Sequence, residues 1–201
     1  MGRVKTRLAR EIGSVQAAQF YRTTAAAVIA RLSASTQWQT WLAVAPDGAT
    51  ASACWPADVP RRGQGKGDLG QRMQRIMQWP GPGPIVIVGT DIPAIAPSDI
   101  AEAFRLLGRH DAVFGPAGDG GYWLVGIRRS PRVPDGFGAV RWSSANALSD
   151  TLANLAGLRI GLAATLDDVD DAAGLAVVRA WSGRRTLPLR MRSRSRPRPS
   201  R

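Results

Sequence analysis

The chain has 201 residues, 44% of them hydrophobic and 21% charged, which is the balance of a folded globular protein and excludes both a fully disordered and a fibrous one. A single cysteine, Cys54, and a single histidine, His110, exclude a disulfide framework and a Cys/His metal cage, and no apolar run reaches the roughly 18 residues of a membrane span. The net charge of +12 is uneven: eight arginines and no acid fall in residues 182–201, so 19 basic residues face 15 acidic ones in residues 1–181, a net +4.

Four of those basic residues, Arg3, Lys5, Arg7 and Arg10, crowd the first ten positions in a polar segment, residues 1–13. Residues 14–32 are alanine-rich with helical spacing, and Ser14 stands where a cap belongs. Residues 41–45 (WLAVA) are expected to form a buried strand, turned at Asp47-Gly48. Asp68 is expected to cap a helix with Leu69, Met73, Ile76 and Met77 on one face, broken at Pro80. Residues 85–88 (IVIV) suit a parallel strand buried on both faces, and a helix over 98–107 follows with Ser98 as its cap. Strands are expected at 112–114 and 122–127, joined by the turn 116–121. Ser143 or Ser144 opens a further helix that Gly157 ends, 159–163 forms a strand, and Asp171 caps the last helix. Such alternation predicts an α/β domain with a mostly parallel sheet, over residues 1–181. The tail, 182–201, alternates Arg with Ser and Pro and is expected to be disordered.

Sheets of this kind bind ligands beyond the carboxyl ends of their strands. Asp91, three residues past IVIV, places a carboxylate there, and Pro93 and Pro97 delay the next helix, leaving room for a metal and a phosphate. Asp119 lies among glycines that permit close approach of a ligand, and Asp168 and Asp170 alternate around Val169 as a second pair of oxygen donors. The cluster Arg3, Lys5, Arg7 precedes a helix, where cations and free amides both meet phosphate oxygens. The G-x-G-x-x-G at 65–70 is set aside because Pro60-Arg61-Arg62 stands where a dinucleotide fold needs a strand. Lys66 is followed by glycine, so there is no Walker A, and the myristoylation-like start at Gly2 is too short a pattern to carry weight. His110 reads as a partner for a helix C-terminus.

Six ordered blocks, GRVKTRLA (2–9), QGKGDLGQRM (64–73), IVIVGTDIPAI (85–95), GPAGDGGYWLVGI (115–127), RWSSANAL (141–148) and LDDVDDAAGL (166–175), carry a resemblance. The chain resembles a glycosyltransferase-A-like bacterial family known as a domain of unknown function, related to the guanylyltransferases of molybdenum-cofactor and phospholactate metabolism. The resemblance implies a Rossmann-like three-layer fold and a metal-dependent transferase using a nucleotide-activated donor, while the single cysteine suits a reducing cytoplasm. Glycosyl transfer from a nucleotide-diphospho-sugar comes first, with nucleotidyl transfer to a phosphorylated small molecule as the alternative. It implies that Arg3, Lys5 and Arg7 wrap the donor's phosphates, that Gly65, Gly67 and Asp68 line the nucleotide or acceptor side, and that Asp91 holds Mg²⁺ or Mn²⁺. Asp119, Gly120, Gly121, Trp142, Ser143, Asp168 and Asp170 then line the substrate pocket, with Asp119 beside Asp91 in catalysis. Family members carry a strand before GRVKTRL, so the first strand is expected to be missing here, by an upstream start or in a truncated, inactive homologue. Asp171 and Gly174 stand where the family has threonine and a further acid. A nucleic-acid binder acting through the basic tail is the rival from another class.

Overall fold

The structure, a computed structural model, describes residues 6–166, with side chains from residue 8 onward. Expectations about Asp171, the division at residue 181 and the tail lie outside the described residues.

The chain opens with α1 (Thr6–Ile12) and α2 (Ser14–Ser33), separated by Gly13 at φ 90°. The basic start was expected only as a polar segment before a helix, yet Leu8 and Ile12 are one helical turn apart and pack with Ala17 and Phe20 of α2. Gly13, rather than Ser14, is the cap of α2, because α1 runs up to it and its carbonyl accepts from Ala17 N at 3.1 Å. Strand β1 (Leu42–Val44) then pairs in parallel with β2 (Arg61–Gly63), with a short 3-10 helix, Asp47–Ala51, between them. Leu42, Val44 and Val59 pack on Ile29 of α2.

Helix α3 (Leu69–Met77) is capped by Asp68 as expected: Gln71 N donates to Asp68 Oδ1 at 2.8 Å, and Asp68 N donates to Gln71 Oε1 at 3.1 Å. Strand β3 (Ile85–Val88) leads to α4 (Pro97–Leu107), which Ala96 caps instead of Ser98, with Ala96 N donating to Asp99 Oδ2 at 2.8 Å. Pro97 takes the first helical position, where its missing N–H costs nothing. Strands β4 (Ala112–Pro116) and β5 (Tyr122–Ile127), helix α5 (Ala147–Asn154) and strand β6 (Ile160–Leu162) follow. Helix α5 starts later than expected, because Ser143 sits at φ 59° and Ser144 builds a turn; it also ends three residues before Gly157, which follows it at φ 87°.

The larger sheet has the order β3-β5-β4-β6. β5 runs antiparallel to both β3 and β4, while β4 and β6 are parallel, so three of the four strands share one direction. The short turn 116–121 forces β5 to reverse beside β4, and β5 then occupies the place next to β3. Among the described residues β3 is therefore an edge strand, which is why its residues are half-buried on both faces rather than buried as expected.

Alternation along the strands sends side chains to two helical layers. On one face Val113 and Leu124 meet Val28 and Leu32 of α2 and Ile100, Ala103 and Leu107 of α4. On the other Phe114, Val125 and Ile127 meet Met73 and Met77 of α3, with Leu148 and Leu152 of α5 at the margin. The fold is a three-layer α/β sandwich. Burying a side chain such as Phe114, which exposes no surface, contributes about 1.5–3 kcal/mol.

Candidate functional site

The site is built at the carboxyl end of β3. Past Val88, Gly89 N donates to Trp123 O at 3.1 Å, adding one step to the ladder, and the chain bends at Thr90 and Asp91. The Asp91 side chain lies over Gly89: a Cβ there would sit 2.9 Å from Asp91 Oδ1. Ile92 and Ile95 are buried in the α2/α4 core and hold the loop from below. From the side, Arg31 Nη1 donates to Pro93 O at 2.9 Å and to Ile95 O at 2.5 Å, and Tyr21 Oη lies 3.4 Å from Thr90 Oγ1. Tyr21 and Arg31 carry no sequence signal for this role: they lie more than 60 positions from their partners, in a helix where they read as ordinary polar residues.

Asp119 occupies the turn between β4 and β5, and because β5 begins where β3 ends, this turn lies at the same end of the sheet as Asp91. Gly121 N donates to Asp119 Oδ1 at 2.8 Å, and Ala117 N to Gly121 O at 3.0 Å. Gly120 adopts φ 85°, and a Cβ on it would collide with the Ala145 carbonyl. Leu148 N donates to Gly120 O at 3.1 Å, which seats the turn on the start of α5. After β6 the chain follows β4: Ala163 N donates to Phe114 O at 2.8 Å and Leu166 N to Pro116 O at 3.2 Å, beside the same turn. Asp168 and Asp170 lie outside the described residues, as do Arg3 and Lys5. Arg7, expected in a phosphate-wrapping loop, has its backbone in α1.

Trp142 joins two further blocks. Its ring stands 6.4 Å from that of Tyr122, edge on, and faces Gly70 at the start of α3. Burial pushes the Tyr122 phenol up to about 12, against the lowering effect of the Thr151 hydroxyl, so it stays protonated at neutral pH and serves as packing. The segment holding Trp142 and Ser143 is pinned by Arg141, whose Nε and Nη2 donate to Asp150 at 2.9 and 2.7 Å and hold that carboxyl down at about 2. Ser144 Oγ donates to Arg141 O at 2.6 Å.

Gly65 and Gly67, at φ 77° and 110°, form a loop between β2 and α3. Contrary to expectation, a strand, Arg61–Gly63, does precede the G-x-G-x-x-G. It forms through pairing with β1, which its Arg-Arg-Gly composition did not announce. The Asp68 carboxylate nevertheless occupies the amide end of α3, where a dinucleotide fold would hold a diphosphate. His110 takes the expected role, with Nδ1 donating to Leu106 O at 2.9 Å in the last turn of α4. A cavity of about 410 Å³ lined by Met77, Gln78, Arg128 and Arg129 lies at the opposite end of the sheet and contains none of the site residues.

Comparison with known proteins decides the family. Residues 28–144 match a family described as uncharacterized proteins conserved in bacteria, DUF2064. The chain belongs to this family. The DUF2064 chain is also similar to a solved structure from Desulfovibrio desulfuricans G20, a "putative nucleotide-diphospho-sugar transferase", at 30% identity and a TM-score of 0.77. The match covers 88% of this chain and 80% of that one. No curated protein matches the DUF2064 chain. The likeness extends the Rossmann-like fold assignment beyond the family match and supports a transferase at the level of fold.

Proposed function

We propose that the protein is a metal-dependent transferase that moves a glycosyl group from a nucleotide-diphospho-sugar to a small-molecule acceptor. The observation that carries this reading is the 30% identity over 88% of the chain to a structure of the kind named above, combined with Asp91 and Asp119 on loops at one end of the sheet.

The donor set fits a hard divalent cation. Asp91 and Asp119 offer carboxylate oxygens, the softer Cys54 lies in another part of the chain, and His110 is spent on a helix end. Among the described residues no group of three His, Cys, Asp or Glu side chains gathers; we assign Mg²⁺ or Mn²⁺ to Asp91, with Asp119 on a second loop at the same end of the sheet. Such an ion, when bound, neutralises charge that develops on a departing diphosphate. The protein's own residues supply position. Arg31, Tyr21 and the buried Ile92 and Ile95 fix the Asp91 loop before any ligand arrives, so little reorganisation is needed on binding. Arg3, Lys5 and Arg7 are proposed to meet the donor's phosphates, and the loop of Gly65, Gly67 and Asp68 its nucleotide portion, with Lys66 between the glycines. Trp142, Ser143, Gly120 and Gly121 then form the acceptor wall, together with Asp168 and Asp170.

The test is donor turnover: the full chain incubated with UDP-, GDP-, ADP- and dTDP-sugars and Mn²⁺ should release the nucleoside diphosphate from one class, slowly in the absence of acceptor. Release of pyrophosphate from a nucleoside triphosphate in the presence of sugar phosphates, without release from any nucleotide sugar, would assign the protein to nucleotidyl transfer instead.

A further inference from the structure

We propose that Arg75 is a positioning residue that shapes the loop 64–68 for the donor nucleotide, an inference that rests on the reading that this loop meets the donor. Arg75 Nη1 donates to Gln64 O at 2.5 Å, and its Nη2 donates to Lys66 O at 3.0 Å. Arg72 Nε donates to Gly67 O at 2.9 Å. Two guanidinium groups on one side of α3 thus draw three carbonyls of the loop toward themselves.

In a planar trans peptide the N–H points opposite to the preceding carbonyl. With the Gln64 carbonyl on Arg75, the Gly65 N–H faces away, where Asp47 Oδ1 accepts it at 2.9 Å. By the same geometry the Lys66 carbonyl on Arg75 turns the Gly67 N–H away from the guanidinium. The exposed Lys66 stands between them, and a cation beside an outward amide suits the anionic and acceptor groups of a nucleotide.

The glycines are fitted to these same side chains. A Cβ on Gly65 would sit 2.6 Å from Arg75 Nη1, one on Gly63 would sit 2.5 Å from the Asp47 carboxylate, and one on Gly67 would collide with Gln71 Oε1. Positive φ at Gly65 and Gly67 gives the backbone freedom to bring its carbonyls round to α3. The loop is held from Asp47 on one side and from Arg75 on the other.

The experiment compares the full chain with Arg75→Ala and Arg75→Lys by three readouts: hydrogen exchange of the amides of 64–68, affinity for UDP, GDP, ADP and dTDP with Mn²⁺ by calorimetry, and melting temperature. Arg75→Ala should speed exchange in the loop and weaken the bound nucleotide by about tenfold, the size of one hydrogen bond to a charged group. Arg75→Lys should recover much of that affinity, because an ammonium still reaches one carbonyl. A lower melting temperature with unchanged nucleotide affinity overturns the proposal, and so does a folded lysine variant no better than alanine. Failure of the wild-type chain to bind any of the four nucleotides removes the donor reading itself; unchanged exchange and affinity in Arg75→Ala, with wild-type binding intact, removes only the role of Arg75.

Discussion

Gly70 and Trp142 share one surface. A Cβ on Gly70 would lie 3.0 Å from Cζ2 of the Trp142 ring and would collide with the Phe137 carbonyl, so the first turn of α3 and the segment before α5 touch only because residue 70 has no side chain. Two blocks more than 70 positions apart in the chain are thereby locked in register around Tyr122.

Gly70→Ala sets two effects against each other. Alanine favours the helix by about 1 kcal/mol, while overpacking costs about 1–3 kcal/mol. The obstacle here is a backbone carbonyl, which yields less than a side chain, so the clash should win. Urea unfolding should show a net loss of about 1–2 kcal/mol, and the Trp142 fluorescence should shift as the ring is displaced.

Gly120→Ala should be more damaging. A non-glycine residue at φ 85° is strained by roughly 1–2 kcal/mol, and the collision with Ala145 adds about 1–3 kcal/mol. Denaturant unfolding should show a loss of about 2–5 kcal/mol, and any folded fraction should lose donor turnover as Asp119 moves. Wild-type stability with full turnover would separate this turn from the site.

The legible part of the fold was the part whose residues make their own case. IVIV at 85–88 and YWLVGI at 122–127 are strands by composition, and Asp68 caps its helix by local chemistry. The unannounced parts depend on partners distant in sequence. Arg61–Gly63 is a strand because Leu42–Val44 lies beside it, and Ser143, at φ 59°, stands outside the helix in a segment that Arg141 ties to Asp150. Helix α1 did carry a signal, the Leu8 and Ile12 pair, masked by the basic residues around it. For the site, Asp91 and Asp119 stood out by their glycine and strand context, whereas Tyr21 and Arg31 act across more than 60 residues of sequence.

Arg31→Ala removes two hydrogen bonds from a charged donor to the carbonyls of Pro93 and Ile95, each worth about 1.5–3 kcal/mol when buried and less in this half-exposed setting. A stability loss of about 2 kcal/mol is expected, with exchange at residues 92–96 raised more than elsewhere. Arg31→Lys should recover part of it. A uniform rise in exchange over the whole sheet would show that Arg31 acts on global stability and not on the Asp91 loop.

The acid limb of stability should report the Arg141–Asp150 pair. Asp150 is held down at about 2 by hydrogen bonds from the Arg141 side chain and backbone, so its contribution is present above the ordinary carboxylate pKa and is lost as pH falls through its folded value. The melting temperatures of wild type and Asp150→Asn should therefore differ by a constant amount above about pH 5 and converge between about pH 4 and pH 2. A difference that widened on acidification would contradict this assignment.

The most direct measurement of the transferase reading is a melting series on the full chain with nucleotide sugars and nucleoside triphosphates, with and without Mn²⁺, alongside Asp91→Asn. A ligand at about 100 times its dissociation constant adds about 2.7 kcal/mol, or roughly 5–10 °C for a chain of this size. The expected result is a shift with one class of nucleotide sugar that requires the cation and disappears in Asp91→Asn. A shift of equal size without cation, or one kept in full by Asp91→Asn, would contradict the role of Asp91, and no shift with any nucleotide would contradict the transferase reading as a whole.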